Sequence, residues 1–270
     1  MSLPTRILST PSEVGAAVAD LIVERLRAAR GRRFLLGCPS GRTPLPVYGA
    51  LARHAAAGVD LSNLVVVMMD DYLDIDESAG PRVVDSEKPY SCLGFAQREI
   101  IAPLAAASGR AGTHAPSEIW TADPADPDDY DRRIAGAGGI DLFLLASGDS
   151  DGHVAFNQPG TPRDRGTHLV ELGEATRRDN MHTFPGFTSL SMVPSRGVTV
   201  GIDTIAALSR EAVMILAGAH KREAFARVTA ARCYEPDWPA TIVTECRGAQ
   251  VIADLDAAGA LTPSGARDDG

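Results

Sequence analysis

Four apolar runs, each ending abruptly in a polar cluster, constrain this chain more than any other feature. FLLGC runs into PSGRTP, LVVVMM into DDYL, IDLFLLAS into GDSDGH, and AVMILAG into AHK. Strands that are apolar at nearly every position must be covered on both faces, which is the signature of a buried parallel sheet. Helical periodicity fills the intervals. SEVGAAVADLIVERLRAAR places Val14, Ala17, Val18, Leu21, Ile22 and Leu26 on one stripe, PLPVYGALARHAA follows the FLLGC strand, and KREAFARVTAA follows AVMILAG. RGVTVGI and AQVIADL supply two further strands. The alternation predicts an α/β, three-layer fold around a mostly parallel central sheet. On such sheets ligands bind beyond the carboxyl ends of the strands, and each polar cluster falls at one of those ends.

The 270 residues are enough for one large α/β domain spanning residues 1–270, with a core that needs no disulfide or metal. Residues 74–89 and 114–130 read as loop-rich, acidic, proline-bearing segments inside that domain, and the terminal TPSGARDDG as a frayed tail. A formal charge of −9 argues against nucleic acid or an anionic membrane surface as partner. The four cysteines, Cys38, Cys92, Cys233 and Cys246, form no CxxC pair and read as buried or half-buried thiols of a reducing compartment. The first residues lack the basic and apolar regions of a secretory leader, and no apolar run has the length of a membrane span, which points to a cytoplasmic protein.

Three clusters can carry chemistry. Ser40, Gly41, Arg42 and Thr43 lie between a strand and a helix, with Thr43 placed as N-cap and Pro44 at the first helical position. Free N–H groups, two hydroxyls and a guanidinium make a phosphate cradle there, although the same loop also serves as a tight turn that binds nothing. Asp70, at the end of LVVVMM, is placed as a general base, and strand alternation sends its neighbour Asp71 to the opposite face. Asp151 and His153 are two residues apart around Gly152, and an acid beside an imidazole fixes its tautomer for proton transfer. A metal would need a third ligand, and none is spaced for it. Lys221 opens a helix after AVMILAG, in position to meet a phosphate.

Taken together, DGHVAFNQPG after LFLLASG, MMDDYL after LVVV, PSGRTP after FLLG, and VPSRGVTVGIDTI followed by VMILAGAHK resemble the glucosamine-6-phosphate deaminase (isomerase) and 6-phosphogluconolactonase family. The resemblance runs with gaps over residues 7–254, and AFN after the histidine resembles the deaminase branch. It implies a Rossmann-like fold and conversion of 2-amino-2-deoxyglucose 6-phosphate to fructose 6-phosphate and ammonia, without metal or organic cofactor. It also assigns roles. Asp70 becomes the base that moves a proton from C2 to C1, His153 the group that opens the ring, and Asp151 the partner of that histidine. Ser40, Gly41, Arg42, Thr43 and Lys221 become the phosphate ligands.

The chain departs from the family's pattern at several positions. Gln158 stands where the family completes its relay with a glutamate, and His182 where it has a phosphate arginine, with Arg177, Arg178 and Arg196 as nearby substitutes. The loop reads SGRT where TGGT is common, and TPRDRGTHLVE lacks the allosteric amino-sugar site of some members. The partner expected is a small phosphosugar, and a homo-oligomer stays open. So do three alternatives: a 6-phosphogluconolactonase-like hydrolase, an isomerase of another phosphosugar, and a non-catalytic sugar-phosphate sensor.

Overall fold

The apolar runs form the strands of one seven-stranded sheet. In this computed structural model residues 3–76, 80–184 and 186–259 are described. The strands, in chain order, are β1 (Thr5–Leu8), β2 (Phe34–Cys38), β3 (Leu64–Met68), β4 (Asp70–Asp76), β5 (Gly80–Val83), β6 (Glu118–Trp120), β7 (Leu142–Ala146), β8 (His168–Glu171), β9 (Arg196–Thr199), β10 (Ala212–Leu216) and β11 (Gln250–Asp254). The large sheet has the order β1-β11-β10-β7-β2-β3-β6 and is parallel throughout.

Alternation along each strand divides the core in two. Leu35, Val65, Val67, Phe143, Leu145 and Met214 point to one face. Phe34, Leu36, Val66, Met68, Leu144 and Ile215 point to the other. Helices α1 (Pro11–Ala28) and α2 (Leu45–Ala56) cover this second face with Val14, Ile22, Val47 and Leu51. The same face packs against α3 (Cys92–Phe95), which continues through a π-turn into α4 (Ala102–Ala111). The first face is covered by α5 (Pro127–Gly136), α7 (Ile202–Leu208) and α8 (Arg222–Ala230). Helix α6 (Glu174–Thr183) lies over the strand ends, and a short α9 (Leu255–Ala258) follows β11. Strand β2 lies beside the central β7 and tolerates no side chain at Gly37, where a Cβ would lie 2.1 Å from the Phe143 ring.

The three-layer arrangement and parallel sheet agree with the expectation from sequence; a second sheet does not appear in that expectation. Strands β5-β4-β9-β8 form a four-stranded antiparallel sheet. RGVTVGI therefore supplies a strand of this sheet, not of the parallel one. The segment expected to be loop-rich at 74–89 contains β5, whose glycine and proline hid it, and the segment at 114–130 contains β6 and the start of α5. Strand β1 is likewise absent from the sequence expectation, being short and largely exposed at the sheet edge. Thr43 is not the N-cap: Pro44 already has helical dihedrals, caps α2 itself and leaves no side-chain cap bond. Cys38, Cys92 and Cys246 are buried as expected, whereas Cys233 is exposed. The tail at 260–270 lies outside the described residues. Among those described, no helix is long and apolar enough to cross a membrane.

Candidate active site

From β2 the chain moves outward through β3 to β6, then crosses back to β7 on the other side of β2. This reversal leaves a crevice at the carboxyl ends of the strands. A cavity of about 310 Å³ occupies it, lined by the segments that follow β2, β3, β7 and β10 and roofed by α6.

Asp70 marks the point where the chain leaves one sheet for the other. Only Met69 separates β3 from β4, and Asp70 pairs with Thr199 of β9. Its half-buried carboxylate lines the cavity and accepts a hydrogen bond from Cys92 Sγ at 3.2 Å. Cys92 Sγ also lies 3.4 Å from Ser40 Oγ, joining the β2 loop to this carboxylate. Desolvation pushes Asp70 up to about 7; the Cys92 hydrogen bond opposes the shift, the nearby Asp71 charge adds to it and His153 opposes it. Asp71 faces the other way and is 1% exposed. It accepts from Cys92 N at 2.9 Å, Leu93 N at 2.8 Å and Ser91 Oγ at 3.2 Å, capping α3. One of the paired acids is thus offered to the cavity and the other spent on the fold.

After β7, the loop GDSDGH folds back on itself. Gly148 N donates to His153 O at 2.7 Å, and Gly152 holds φ +66° with the Trp238 ring 2.3 Å from where a Cβ would stand. No other residue fits there. The turn brings Asp151 Oδ1 to 2.6 Å from His153 Nδ1, and Thr176 Oγ1 of α6 donates to Asp151 Oδ2 at 3.2 Å. Burial works against the Asp151 charge, but its hydrogen bond and proximity to His153 hold its carboxyl below the ordinary range. With Nδ1–H donated to Asp151, His153 keeps Nε2 as the free acceptor, the form needed of a base. The next turn holds Ala155 at φ +52°, an uncommon conformation for a residue with a Cβ, at the cavity wall.

Gln158 does not join this pair. Its Oε1 accepts from Gly173 N at 2.6 Å and its Nε2 donates to Glu171 O at 3.0 Å, so both ends clamp the backbone between β8 and α6. It is not among the residues lining the cavity. A second acid comes instead from α6. Carboxylate oxygens of Asp151 and Asp179 and a ring nitrogen of His153 lie within 4.8 Å of one another, a third group that spacing in sequence did not reveal. Burial raises the Asp179 carboxyl above its usual range; His153 opposes this and Asp149 adds to it. These three could ligate an ion, yet Asp151 and His153 already spend facing atoms on each other, so the arrangement suits proton transfer better than metal binding.

Ser40, Gly41, Arg42 and Thr43 all line the cavity, as does Lys221. Lys221 is 5% exposed and donates to Ser147 O and to Asp149, which occupies the same wall. None of the three substitute arginines lines the cavity. Arg177 donates to Leu190 O and Val193 O, Arg178 pairs with Glu174, and Arg196 pairs with Glu171. The side chain of His182 lies outside the described residues. The sequence did not single out Asn180 or Tyr72, whose buried Nδ2 and hydroxyl meet each other at the cavity wall and have no other partner. Helical spacing could have found Asn180, four residues beyond Thr176 on one face of α6.

Residues 9–252 match the family described as glucosamine-6-phosphate isomerases/6-phosphogluconolactonase. The chain belongs to this family. Among its relatives, the glucosamine-6-phosphate deaminase of Shouchella clausii is 32% identical over 251 residues, covering 93% of this chain and 94% of that one. That of Pseudarthrobacter chlorophenolicus is 35% identical over 262 residues, covering 94% and 91%. Solved structures of the family share the fold. A monomeric glucosamine-6-phosphate deaminase superposes with a TM-score of 0.81 at 23% identity, covering 95% of this chain and 99% of that one. The 6-phosphogluconolactonase of Leishmania guyanensis gives 0.66 at 16% identity, covering 97% and 100%. The family's two activities are therefore both represented among proteins of this shape.

Proposed function

We propose that this cavity isomerises and deaminates a 2-amino-2-deoxyhexose phosphate, releasing a ketose phosphate and ammonia. One observation carries the reading: the Asp70 carboxylate and His153, itself held by Asp151, line the same cavity from the strand ends on either side of β2. Ring opening needs a proton moved from the anomeric hydroxyl to the ring oxygen, and His153 Nε2 is the acceptor available for it. The open-chain aldehyde then acidifies the C2 proton. Asp70, ionised, takes that proton, and the C1–C2 enolamine forms as the aldehyde oxygen is protonated. Return of the proton to C1 leaves an imine at C2, which water hydrolyses to ketone and ammonia. A carboxyl raised to about 7 by burial is matched to both giving and taking a proton near neutral pH. Asn180 and the Tyr72 hydroxyl, which face each other at the cavity wall, supply hydrogen-bonding groups for sugar oxygens.

We further infer a small phosphosugar as partner, a single functional unit over the chain and a cytoplasmic setting. A hydrolytic reading, in which His153 activates water against a lactone, competes because lactonases share the fold. Purified protein supplied with glucosamine 6-phosphate and with 6-phosphogluconolactone separates the two. Ammonia with ketose phosphate, abolished in Asp70→Asn, is the expected result. Acid from the lactone, retained in Asp70→Asn, overturns it in favour of the hydrolase; binding without turnover points to a sensor.

A further inference from the structure

Among the carboxylates that line the cavity, Asp70 is the base and Asp149 holds Lys221. Asp179 is left without a task. It is half-buried, enters no ion pair among the described residues, and accepts a hydrogen bond from Asp149 N at 3.4 Å. A ring nitrogen of His153 lies within 4.8 Å, but that imidazole already donates to Asp151. Burial raises the Asp179 carboxyl and the Asp149 charge adds to the shift. A cation brought alongside would offset both effects.

Helix α6 fixes where that cation must stand. Near its start Thr176 Oγ1 donates to Asp151, and at its end the Thr183 methyl meets the loop after β2, 3.7 Å from where a Cβ of Gly41 would be. Asp179 lies three residues past the first and four before the second, hence on the same face of the helix. The loop after β2, with His220 and Lys221, is left for the phosphate. Asp179, beside His153, therefore meets the sugar where its ring opens. The substituents there are the anomeric and ring oxygens and the C2 nitrogen, and of these only the nitrogen carries positive charge. Tetrahedral C2 directs its hydrogen to Asp70 and so its nitrogen away from it. Asp179 stands with His153, which enters the cavity from the other side of β2.

We propose that Asp179 is a specificity-determining residue that receives the C2 amino group as an ammonium, selecting a 2-amino sugar phosphate over its 2-hydroxy counterpart. The inference rests on the reading of the cavity as an amino-sugar phosphate site and names the group that reads the amine. A hydroxyl also donates to a carboxylate, but it leaves the negative charge beside Asp149 unbalanced.

Binding of unreactive ligands separates this inference from the turnover on which that reading stands. 2-Amino-2-deoxyglucitol 6-phosphate and glucitol 6-phosphate have no carbonyl and differ only at C2, where the amine is an ammonium at neutral pH. Their dissociation constants are measured by calorimetry on the wild type, Asp179→Asn and Asp179→Ala. The wild type should bind the amino ligand about tenfold or more tightly than the hydroxy ligand, the order of one charge-assisted hydrogen bond, and in both variants the ratio should fall to about threefold or less. A ratio that stays higher in either variant with native circular dichroism overturns the inference. So does a wild-type ratio already below about threefold, or no binding of the amino ligand at millimolar concentration. Ammonia release from glucosamine 6-phosphate by the wild type reports on the deaminase reading alone: ammonia together with a ratio indifferent to Asp179 sinks this inference and leaves that reading standing.

Discussion

Asp70 and Asp71 are chemically identical neighbours made different by one step along a strand. Burial lifts Asp70 to about 7 from an ordinary 3.8, so its base form predominates only above that pH. Turnover should therefore fall about tenfold per pH unit below about 7, read as the acid limb of kcat/KM. Cys92 Sγ donates to the ionised carboxylate, so Cys92→Ala should move that limb to higher pH. The same shift ties stability to pH. Between about 4 and 7 the folded protein retains a proton that the unfolded chain has lost, so stability declines as pH rises through that window and stays lower above it. Asp70→Asn, inactive in exchanging the C2 proton with solvent, should consequently melt above the wild type at pH 8 and show no such gain at pH 4. Asp71→Asn should behave oppositely, keeping proton exchange but costing about 1–3 kcal/mol in denaturant melts, because an amide donor would then face N–H groups at the start of α3. At Gln158 the geometry reverses the expectation drawn from sequence. A carboxylate there would lose its donor to the Glu171 carbonyl and be set against that oxygen, so Gln158→Glu should lower stability by a similar amount and leave the pH profile unmoved.

At the scale of elements, the parallel sheet was legible because its strands carry their burial in plain view: LVVVM and FLLGC have no polar residue to mislead. The loops at their ends were legible for the same reason, since a polar cluster after a buried strand has nowhere to go but the sheet's edge. The antiparallel sheet was not. HLVE has alternating partial exposure, GPRV carries both a glycine and a proline, and DDYLDID reads as the tail of the strand before it. The roles of Asp149 and Asp179 escaped as well, because Lys221 and α6 meet that loop only across long stretches of intervening chain. What was legible about the loop after β7 was its glycines. Gly152→Ala must both strain a positive φ and drive a Cβ into the Trp238 ring, and it should displace Asp151 from His153. Loss of the histidine's Nδ1–H hydrogen bond, visible as a downfield proton resonance in the wild type and missing in the variant, would check it.

Taken whole, the molecule has two apolar layers packed on the parallel sheet and a third, smaller cluster under the antiparallel one, built on Tyr72, Val84, Phe156, Leu172, Phe187 and Val193. A region with few buried apolar neighbours opens more readily than the main core. Amide hydrogen exchange should thus be faster in β4, β8 and β9 than in β2, β3, β7 and β10, and equal protection in both sheets would refute the difference. Asp70 hangs between the two regions, joined to β3 through Met69 and to β9 through its own backbone. The backbone after His153 is fastened to the smaller sheet too, by Phe156 N donating to Thr199 Oγ1 at 3.1 Å. Both reacting groups are therefore stationed by the part of the protein that lets go first. On warming, the working range of the catalyst should close several degrees before the fold itself is lost, with the far-UV signal still native when the activity has gone.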